Sequence, residues 1–214
     1  MTDSKISSVV FDIGGVLIDW DPRHLYRQLI ADPAELDDFL GRICTRQWHA
    51  SHDLGADTEQ SCRELAVVHP EHADLIMAWS HRSEEMIAGV YDDTVAVLAE
   101  LRAAGVRCFA LSNMEKDTFA KRRDRLSFFG LLDGYVISGL EGVMKPDRKI
   151  FEILLSRFGL APQETVFVDD IADNVSAAAD LGILALRFTS AAQVRKELRD
   201  IGLPLGEPGC VGGP

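Results

Sequence analysis

Short apolar runs alternate with polar or glycine-rich punctuation along most of the chain. Each run is too short for a helix and is rich in β-branched or aromatic residues, which is typical of buried strands. The runs are ISSVVFD, VRCFALSN, DGYVISG, ETVFVDD and GILALRF. Segments of helical periodicity lie between most of them, at 92–105, 114–130, 147–159 and 173–182. This alternation predicts an α/β fold with a doubly wound, Rossmann-like parallel sheet.

The alternation is interrupted between about Asp21 and Val90, where only helical patterns are found. The helical segments there are PRHLYRQLIA, PAELDDFLGRI, TEQSCRELAVVH and HADLIMAWSHRSEEMIAG, joined by DP, SHDLGAD and HP turns. We therefore expect a helical cap domain at 20–90, inserted into a core domain made of 1–19 and 91–205. The closing LPLGEPGCVGGP is too rich in Gly and Pro for regular structure, and it predicts a flexible tail at 206–214.

Composition and charge narrow the class of protein. The chain has 214 residues, 47% of them apolar, which is enough for an enzyme-sized core. Its net charge of −12 would repel a phosphate backbone, so nucleic acid is not an expected partner. No apolar run approaches a membrane span and MTDSKISS lacks the pattern of a secretory signal, so we expect no membrane association. The four separated cysteines form no CxxC pair, which fits a reducing, cytoplasmic location.

Polar side chains follow several of the predicted strands at the points where they end. In open parallel sheets ligands bind beyond the carboxyl ends of the strands, so these side chains should converge. They are Asp12, Ser112, Asn113, Asp169 and Asp170, with Lys145 in the loop GLEGVMKPD facing the same crevice. Taken singly, each has a structural alternative as a turn residue, a helix cap or a solvated loop residue. The convergence of all of them favours a functional site.

The ordered set FDIGGVL, LSN, MKP and VDDIADN, with a helical insertion after the first, resembles the motifs of the haloacid dehalogenase-type hydrolase superfamily, in its helical-cap branch. The resemblance covers about residues 6–190. It implies that Asp12 is a nucleophile, that Ser112 hydrogen-bonds the transferred group and that Lys145 neutralises charge. It also implies Mg²⁺ as the cofactor, with these ligands: Asp12, Asp169, Asp170 and the backbone carbonyl of Gly14. Asp173 and Asn174 would support the metal ligands, although either residue could instead cap the helix that follows.

Elementary electrostatics agrees with a metal. Two unit charges about 4 Å apart at an effective dielectric near 20 interact by roughly 4 kcal/mol, so clustered carboxylates cannot all stay ionised against one lysine. A divalent cation removes this conflict. Oxygen-only ligands without His or Cys suit Mg²⁺ rather than zinc.

In the superfamily that this chain resembles, most phosphatases carry a second aspartate two residues after the nucleophile, where it acts as general acid and base. Gly14 occupies this position here. Three interpretations follow. The chain is a phosphatase for a small sugar phosphate-like metabolite, with the proton supplied by solvent or by the cap; His24 and His49 are candidates. Alternatively it hydrolyses a carbon–halogen bond without metal, as 2-haloacid dehalogenases do, although two acids at 169 and 170 would repel an anionic haloacid. A third possibility is a non-catalytic protein that binds a phosphorylated metabolite or another protein.

The cap is expected to select a small-molecule substrate. Candidate contacts lie where it joins the core and in its loops: Trp20, Arg23, Arg46, Trp48 and His52. Trp48 is singled out because an aromatic side chain among polar neighbours in a loop has no obvious core partner. The predicted substrate-binding set is Gly14, Gly15, Asn113, Arg23 and Trp48. Packing of Trp48 between cap helices and solvation of Arg23 are the structural alternatives.

Overall fold

The computed structural model describes residues 5–206, and its strands match the predicted pattern closely. The strands are β1 (Ser8–Phe11), β2 (Ile18–Trp20), β3 (Ile87–Val90), β4 (Arg107–Ser112), β5 (Gly134–Ile137), β6 (Thr165–Asp169) and β7 (Leu184–Arg187). Five of them form a parallel sheet in the order β5-β4-β1-β6-β7. All five predicted strands and the parallel α/β class are therefore confirmed.

Helices cover both faces of the sheet. They are α1 (Pro22–Tyr26), α2 (Pro33–Asp38), α3 (Arg46–Asp53), α4 (Thr58–Val68), α5 (Ala73–His81), α6 (Asp92–Ala103), α7 (Lys116–Arg125), α8 (Ser138–Glu141), α9 (Arg148–Phe158), α10 (Ala172–Ala179) and α11 (Ala191–Asp200). A π-helix at Phe39–Ile43 and 3₁₀ turns at Pro70–His72, Ser83–Met86, Ser127–Leu131 and Pro162–Glu164 complete the helical elements.

Strand β1 shows why the sheet is covered twice. Successive side chains of a strand point to opposite faces, and the four residues of β1 are all buried. Val9 and Phe11 join one hydrophobic cluster, which includes residues of α6 and α11, whereas Val10 joins a second cluster with α9. A strand buried on both faces is mostly apolar, which explains the run VVF, and the hydroxyl of the buried Ser8 is satisfied by a hydrogen bond with Thr165 Oγ1 (3.0 Å).

Residues 22–86, here called the helical insertion, have a third hydrophobic cluster of their own. Tyr26, Phe39 and Trp79 form its aromatic centre, with ring centroids 4.9 and 6.0 Å from Tyr26. This separate core supports the proposed division into a core domain and a cap domain. Contacts between the two parts include Glu84, whose carboxylate lies 3.4 Å from Arg122 and 2.8 Å from Arg125 of α7.

Two predictions about the elements are wrong. Strand β3 exists within the interval predicted to be purely helical, because it pairs antiparallel with β2, a contact between distant segments that a local pattern does not show. The helix predicted at 114–130 ends at Arg125, since Leu126 is extended (φ −97°, ψ 109°). Leu203 and Leu205, which precede the predicted tail at 206–214, are buried against the core.

The helix α11 was not predicted. The expected flexible tail lies outside the described residues except for Gly206, whose N–H donates to Glu100 (3.2 Å). Cys44, Cys62 and Cys108 are buried free thiols, as expected, and Cys210 lies outside the described residues. Within residues 5–206, none of the helices combines the length and apolar character that a membrane span requires.

Candidate active site

The polar residues at the strand ends meet at the centre of the carboxyl edge. Phe11 of β1 pairs with Ala110 on one side and with Val168 on the other, so Asp12 is in line with the ends of β4 and β6. Its own N–H donates to the carbonyl of Val168 (2.9 Å). Strand register alone therefore places Asp12 beside Asp169.

Three carboxylates form a compact, largely buried cluster. One oxygen each of Asp12, Asp169 and Asp170 lies within 4.8 Å of the others. The Lys145 ammonium donates to Asp169 Oδ2 at 2.6 Å and lies 3.0 Å from Asp12 Oδ1. The side chain of Lys145 is only 1% exposed, so this ion pair is shielded from water. Four of the six polar residues predicted to converge are thus close together: Asp12, Lys145, Asp169 and Asp170.

The charges in this cluster are unbalanced. Burial raises the pKa of Asp12 to about 7, with Lys145 opposing the rise and Asp169 adding to it. Burial and the charge of Asp169 also raise the pKa of Asp170. Burial alone would lower the pKa of Lys145, but the carboxylates Asp12 and Asp169 outweigh it and the pKa is raised. One lysine thus faces three acids, and the cluster favours an additional cation.

The donor set fits Mg²⁺. The three side chains offer only oxygen, the preferred donor of Mg²⁺. Among residues 5–206, no hydrogen bond engages the carbonyl oxygen of Gly14, the predicted backbone ligand. Gly15 has φ +73°, and a Cβ there would lie 2.6 Å from Asp170 Oδ2. A glycine at 15 therefore adopts this left-handed conformation without strain and leaves the space that the Asp170 carboxylate occupies.

Asn113 positions Lys145. Its Nδ2 donates to the Lys145 carbonyl (2.9 Å) and its Oδ1 accepts from the Lys145 N–H (2.8 Å). The side chain was predicted to contact substrate, but its amide is used by this reciprocal pair. Neither Ser112 nor Asn113 caps α7, whose N-cap is Glu115.

The two predicted supporting residues differ. Asn174 is buried and its Nδ2 donates to both oxygens of Asp169, at 3.0 and 3.1 Å, which fixes the orientation of that carboxylate. Asp173 is exposed, and within the described part of the chain no hydrogen bond or ion pair links it to the cluster. Neither caps α10, because the N-cap position is Ile171.

A cleft of about 1110 Å³ opens over the cluster. Gly14, Gly15, Ser112 and Asp170 line it from the core. The helical insertion contributes Arg23 of α1 and Arg46, His49 and Asp53 of α3, and Trp20 at the end of β2 lines the cleft as well. The cleft is thus shared by both parts of the molecule, and Asp170 of the carboxylate cluster lines it.

Two predicted contact residues have other roles in the structure. Trp48 lies in α3 rather than in a loop, and its ring packs edge-on against Trp79 (5.2 Å) and His52 (4.4 Å) instead of lining the cleft. Arg23 does line the cleft, but its guanidinium is held by Asp37 at 2.6 Å.

Asp53 was missed by the sequence analysis. It is the last residue of α3, it lines the cleft and it is 7% exposed. The sequence predicts a turn at SHDLGAD, where an acid is ordinarily solvated, whereas Asp53 ends α3 and is buried.

The fold and the charged side chains at its carboxyl edge are those of a hydrolase. The chain belongs to the haloacid dehalogenase-like hydrolase family, whose model matches residues 6–182. It is 26% identical to a sesquiterpene phosphatase of Aspergillus oryzae, over 92% of this chain and 97% of that protein. It is 32% identical to acyl-CoA dehydrogenase family member 10 of Mus musculus, where the match covers 92% of this chain but 19% of the longer protein.

Solved structures share the fold. A HAD-family enzyme of Bacteroides thetaiotaomicron, in complex with magnesium and inorganic phosphate, superposes with a TM-score of 0.64 at 19% identity, over 86% of this chain and 95% of that one. The L-2-haloacid dehalogenase of Xanthobacter autotrophicus, with chloropropionic acid covalently bound, superposes with a TM-score of 0.61 at 21% identity, over 93% and 84% of the two chains. The fold therefore accommodates both phosphoryl and carbon–halogen chemistry, and the site residues must decide between them.

Proposed function

We propose that this protein is a Mg²⁺-dependent phosphohydrolase that cleaves a small phosphorylated metabolite through an aspartyl-phosphate on Asp12. The observation that carries the proposal is the position of Asp12, whose carboxylate shares a buried cluster with Asp169, Asp170 and Lys145. Such a cluster combines a nucleophile with the means of neutralising a phosphoryl group.

The residues divide the chemistry among them. Asp12 attacks phosphorus in line, the ester P–O bond breaks, and water then attacks the phosphorus of the aspartyl-phosphate to release inorganic phosphate. Lys145 offsets the negative charge of the transferred group, and Ser112 at the end of β4 donates a hydrogen bond to it. When held by Asp12, Asp169, Asp170 and the Gly14 carbonyl, Mg²⁺ supplies Lewis-acid stabilisation of the phosphoryl oxygens.

The dehalogenase alternative fits this site less well. An anionic haloacid would approach Asp12 next to Asp169 and Asp170, whose oxygens lie within 4.8 Å of the nucleophile. Uncompensated acids at that distance repel the substrate. A purely binding role is also less well supported, because the nucleophile, the lysine and both further acids are all present and lie close to one another.

The cleft sets limits on the substrate. Its volume of about 1110 Å³ is at the upper end for small-molecule sites, so it has room for a sugar phosphate and for larger organic groups. Trp20, Leu40 and Trp79 offer apolar surface, whereas Arg23 and Arg46 offer positive charge. We propose a phosphate monoester of sugar size or larger, and the similarity to a sesquiterpene phosphatase makes prenyl phosphates worth testing. The helical insertion would act as the cap that excludes water.

The test is a phosphate-release assay on glucose 1-phosphate, acetyl phosphate and a farnesyl phosphate, each with Mg²⁺ and with EDTA. We expect release that EDTA abolishes and added Mg²⁺ restores. A parallel incubation with 2-chloropropionate without metal measures chloride. Chloride release, or phosphate release that is insensitive to EDTA, would overturn the proposal, and no release of either product would favour a binding protein.

A further inference from the structure

The cleft contains a carboxyl group that the proposed chemistry does not yet use. Asp53 is buried at the end of α3 and its side chain faces the same cleft as Gly14 and Ser112. Within the described residues, its one ion-pair partner is His49, whose Nε2 lies 3.6 Å from Asp53 Oδ2, too far for a good hydrogen bond. An ionised acid that is buried without a close cation lowers the stability of the fold, so such a group is expected to keep its proton or to have a function.

The end of α3 is fixed against the edge of the core. A Cβ at Gly55, two residues after Asp53, would lie 3.5 Å from the carbonyl of Gly139, so the two backbones lie close together there. The N–H of Gly139 in turn donates to the carbonyl of Met114 (3.1 Å), in the loop that begins with Ser112 and Asn113. The end of α3 that carries Asp53 therefore lies near the loop that follows β4, and Asp53 is not one of the three clustered carboxylates.

Charged groups from several elements face Asp53. They are His49 on α3, Glu115 before α7, Arg122 on α7 and Lys145 in the loop before α9. Burial raises the pKa of Asp53 to about 7 and Glu115 adds to the rise, while Lys145 and Arg122 oppose it. The carboxyl group can thus hold a proton at neutral pH and give it up within the same range.

His49 is the obvious competitor, because it lines the cleft beside Asp53. Burial lowers its pKa to about 4, and the charges of His52 and Arg122 add to the effect. Its ring is therefore neutral at pH 7, and its Nδ1 is buried without a hydrogen-bond partner. The sequence-based suggestion that His49 donates the proton is not favoured by this environment.

We infer that Asp53 is the general acid and base of the reaction, replacing from the helical insertion the carboxylate that is absent at Gly14. The inference rests on the proposed phosphohydrolase function. In the first step Asp12 bonds to phosphorus, the ester P–O bond breaks and the leaving alkoxide takes the Asp53 proton to become an alcohol. In the second step a water molecule gives a proton to the Asp53 carboxylate while the water oxygen attacks phosphorus. The P–O bond to Asp12 breaks and phosphate leaves, which restores the Asp12 carboxylate and the protonated Asp53.

The first test is Asp53→Asn assayed on esters with different leaving groups. An acid that protonates the leaving oxygen matters most when that oxygen is basic, so kcat/KM for an alkyl phosphate should fall by about 10²-fold or more. The same variant should lose far less on acetyl phosphate, whose leaving group departs as a carboxylate. The falling limb of the pH–rate profile near neutrality should disappear as well. Asp117→Asn removes an exposed acid at the cleft rim and serves as the control, with no dependence on the leaving group.

The second test is rescue by Gly14→Asp. A Cβ at Gly14 meets no atom within 4 Å and its φ is not positive, so the backbone accepts a side chain. We expect the double variant Asp53→Asn, Gly14→Asp to recover at least about tenfold in kcat/KM on the alkyl phosphate, within the range of general acid catalysis. Gly14→Asp in the native background should gain little, because the proton source is already present.

The outcomes separate the two claims. If the native protein releases no phosphate from any ester, the proposed function fails and Asp53 with it. If the native protein is active and Asp53→Asn slows alkyl and acyl phosphates equally, the role of Asp53 is structural and this inference alone is overturned. Should Asp53→Asn not fold, Asp53→Glu answers the same question: it keeps the carboxyl and should retain the leaving-group dependence and pH profile of the native protein, and loss of both would contradict the inference.

Discussion

Two buried acids face one cleft from opposite parts of the molecule, and they differ in what surrounds them. Burial raises the pKa of both Asp12 and Asp53 to about 7. Asp12 has the Lys145 ammonium at 3.0 Å and two neighbouring carboxylates that can share a cation with it, whereas the one ion-pair partner of Asp53 among the described residues is His49, at 3.6 Å. A cation in the cluster would ionise Asp12 and leave Asp53 protonated. The same residue type is thus prepared for two roles by its environment.

The largest expected effect comes from removing the core acid. Asp12→Asn keeps the size of the side chain but cannot form the acyl-phosphate, so turnover should fall by at least about 10³-fold. The fold should persist, because the change also removes an acid whose ionisation is opposed by burial. Phosphate release and thermal unfolding of the same preparation measure both. Retention of more than a few per cent of activity would show that Asp12 is not the nucleophile.

The second prediction concerns the stability cost of Asp53. Its pKa rises from 3.8 to about 7 on folding, so between those values the folded protein binds more protons than the unfolded chain. The free energy of unfolding should therefore decrease as pH rises through this window, and Asp53→Asn should lose that decrease. At about 1.4 kcal/mol per pKa unit the difference between variant and native protein should reach about 2–4 kcal/mol above pH 7 and vanish near pH 4.

Only the difference between the two proteins is informative here. Burial lowers the pKa of His49 and His52 to about 4, so these histidines make the stability fall with decreasing pH below their ordinary value of 6.5, the opposite sign. Urea titrations of native protein, Asp53→Asn and the exposed control Asp117→Asn at pH 5 and pH 8 isolate the Asp53 contribution. A variant no more stabilised at pH 8 than at pH 5 would mean that Asp53 is ionised at little cost.

The core site was predictable because its residues lie at the ends of recognisable strands. Asp12 and Asp169 each follow an uninterrupted apolar run, and parallel register brings such positions together whatever the intervening sequence. The five strands of the main sheet were predictable for the same reason. Asn174 could be placed beside the ligands from the motif VDDIADN, although the local sequence did not separate it from Asp173.

Asp53 was not predictable, because its burial is produced by partners far away in sequence. Glu115 and Lys145, which set its electrostatic environment, lie on segments that only the docking of α3 on the core brings near. The same reason explains β3, which exists by pairing with β2, and the placement of Trp48, which packs on Trp79. Local periodicity indicates which face of a helix is apolar, but it does not indicate which polar residue another segment will cover.

The third prediction compares Asn174 with its neighbour Asp173 in the first turn of α10. Asn174→Ala removes both hydrogen bonds to Asp169, and loss of such support usually costs about 10–100-fold in metal affinity or activity. Asp173→Ala removes an exposed charge one residue earlier and should have a much smaller effect. Titration of activity with Mg²⁺ measures both. Equal losses would mean that the turn acts as a unit and that the contact of Asn174 is not the cause.

The smallest expected effect separates the two glycines that follow the nucleophile. Gly15 has φ +73°, a region that costs roughly 1–2 kcal/mol for other residues, and its missing Cβ leaves the space that Asp170 Oδ2 occupies. Gly15→Ala should therefore lower the free energy of unfolding by about that amount and displace Asp170. Gly14→Ala meets open space at an ordinary φ, so its unfolding free energy should be unchanged or raised by up to about 1 kcal/mol through reduced freedom of the unfolded chain. Urea unfolding of the two variants under identical conditions decides the matter. If both glycines tolerate alanine equally, Asp170 is not held against Gly15, and the three-carboxylate geometry that distinguishes the core acid from Asp53 would have to be revised.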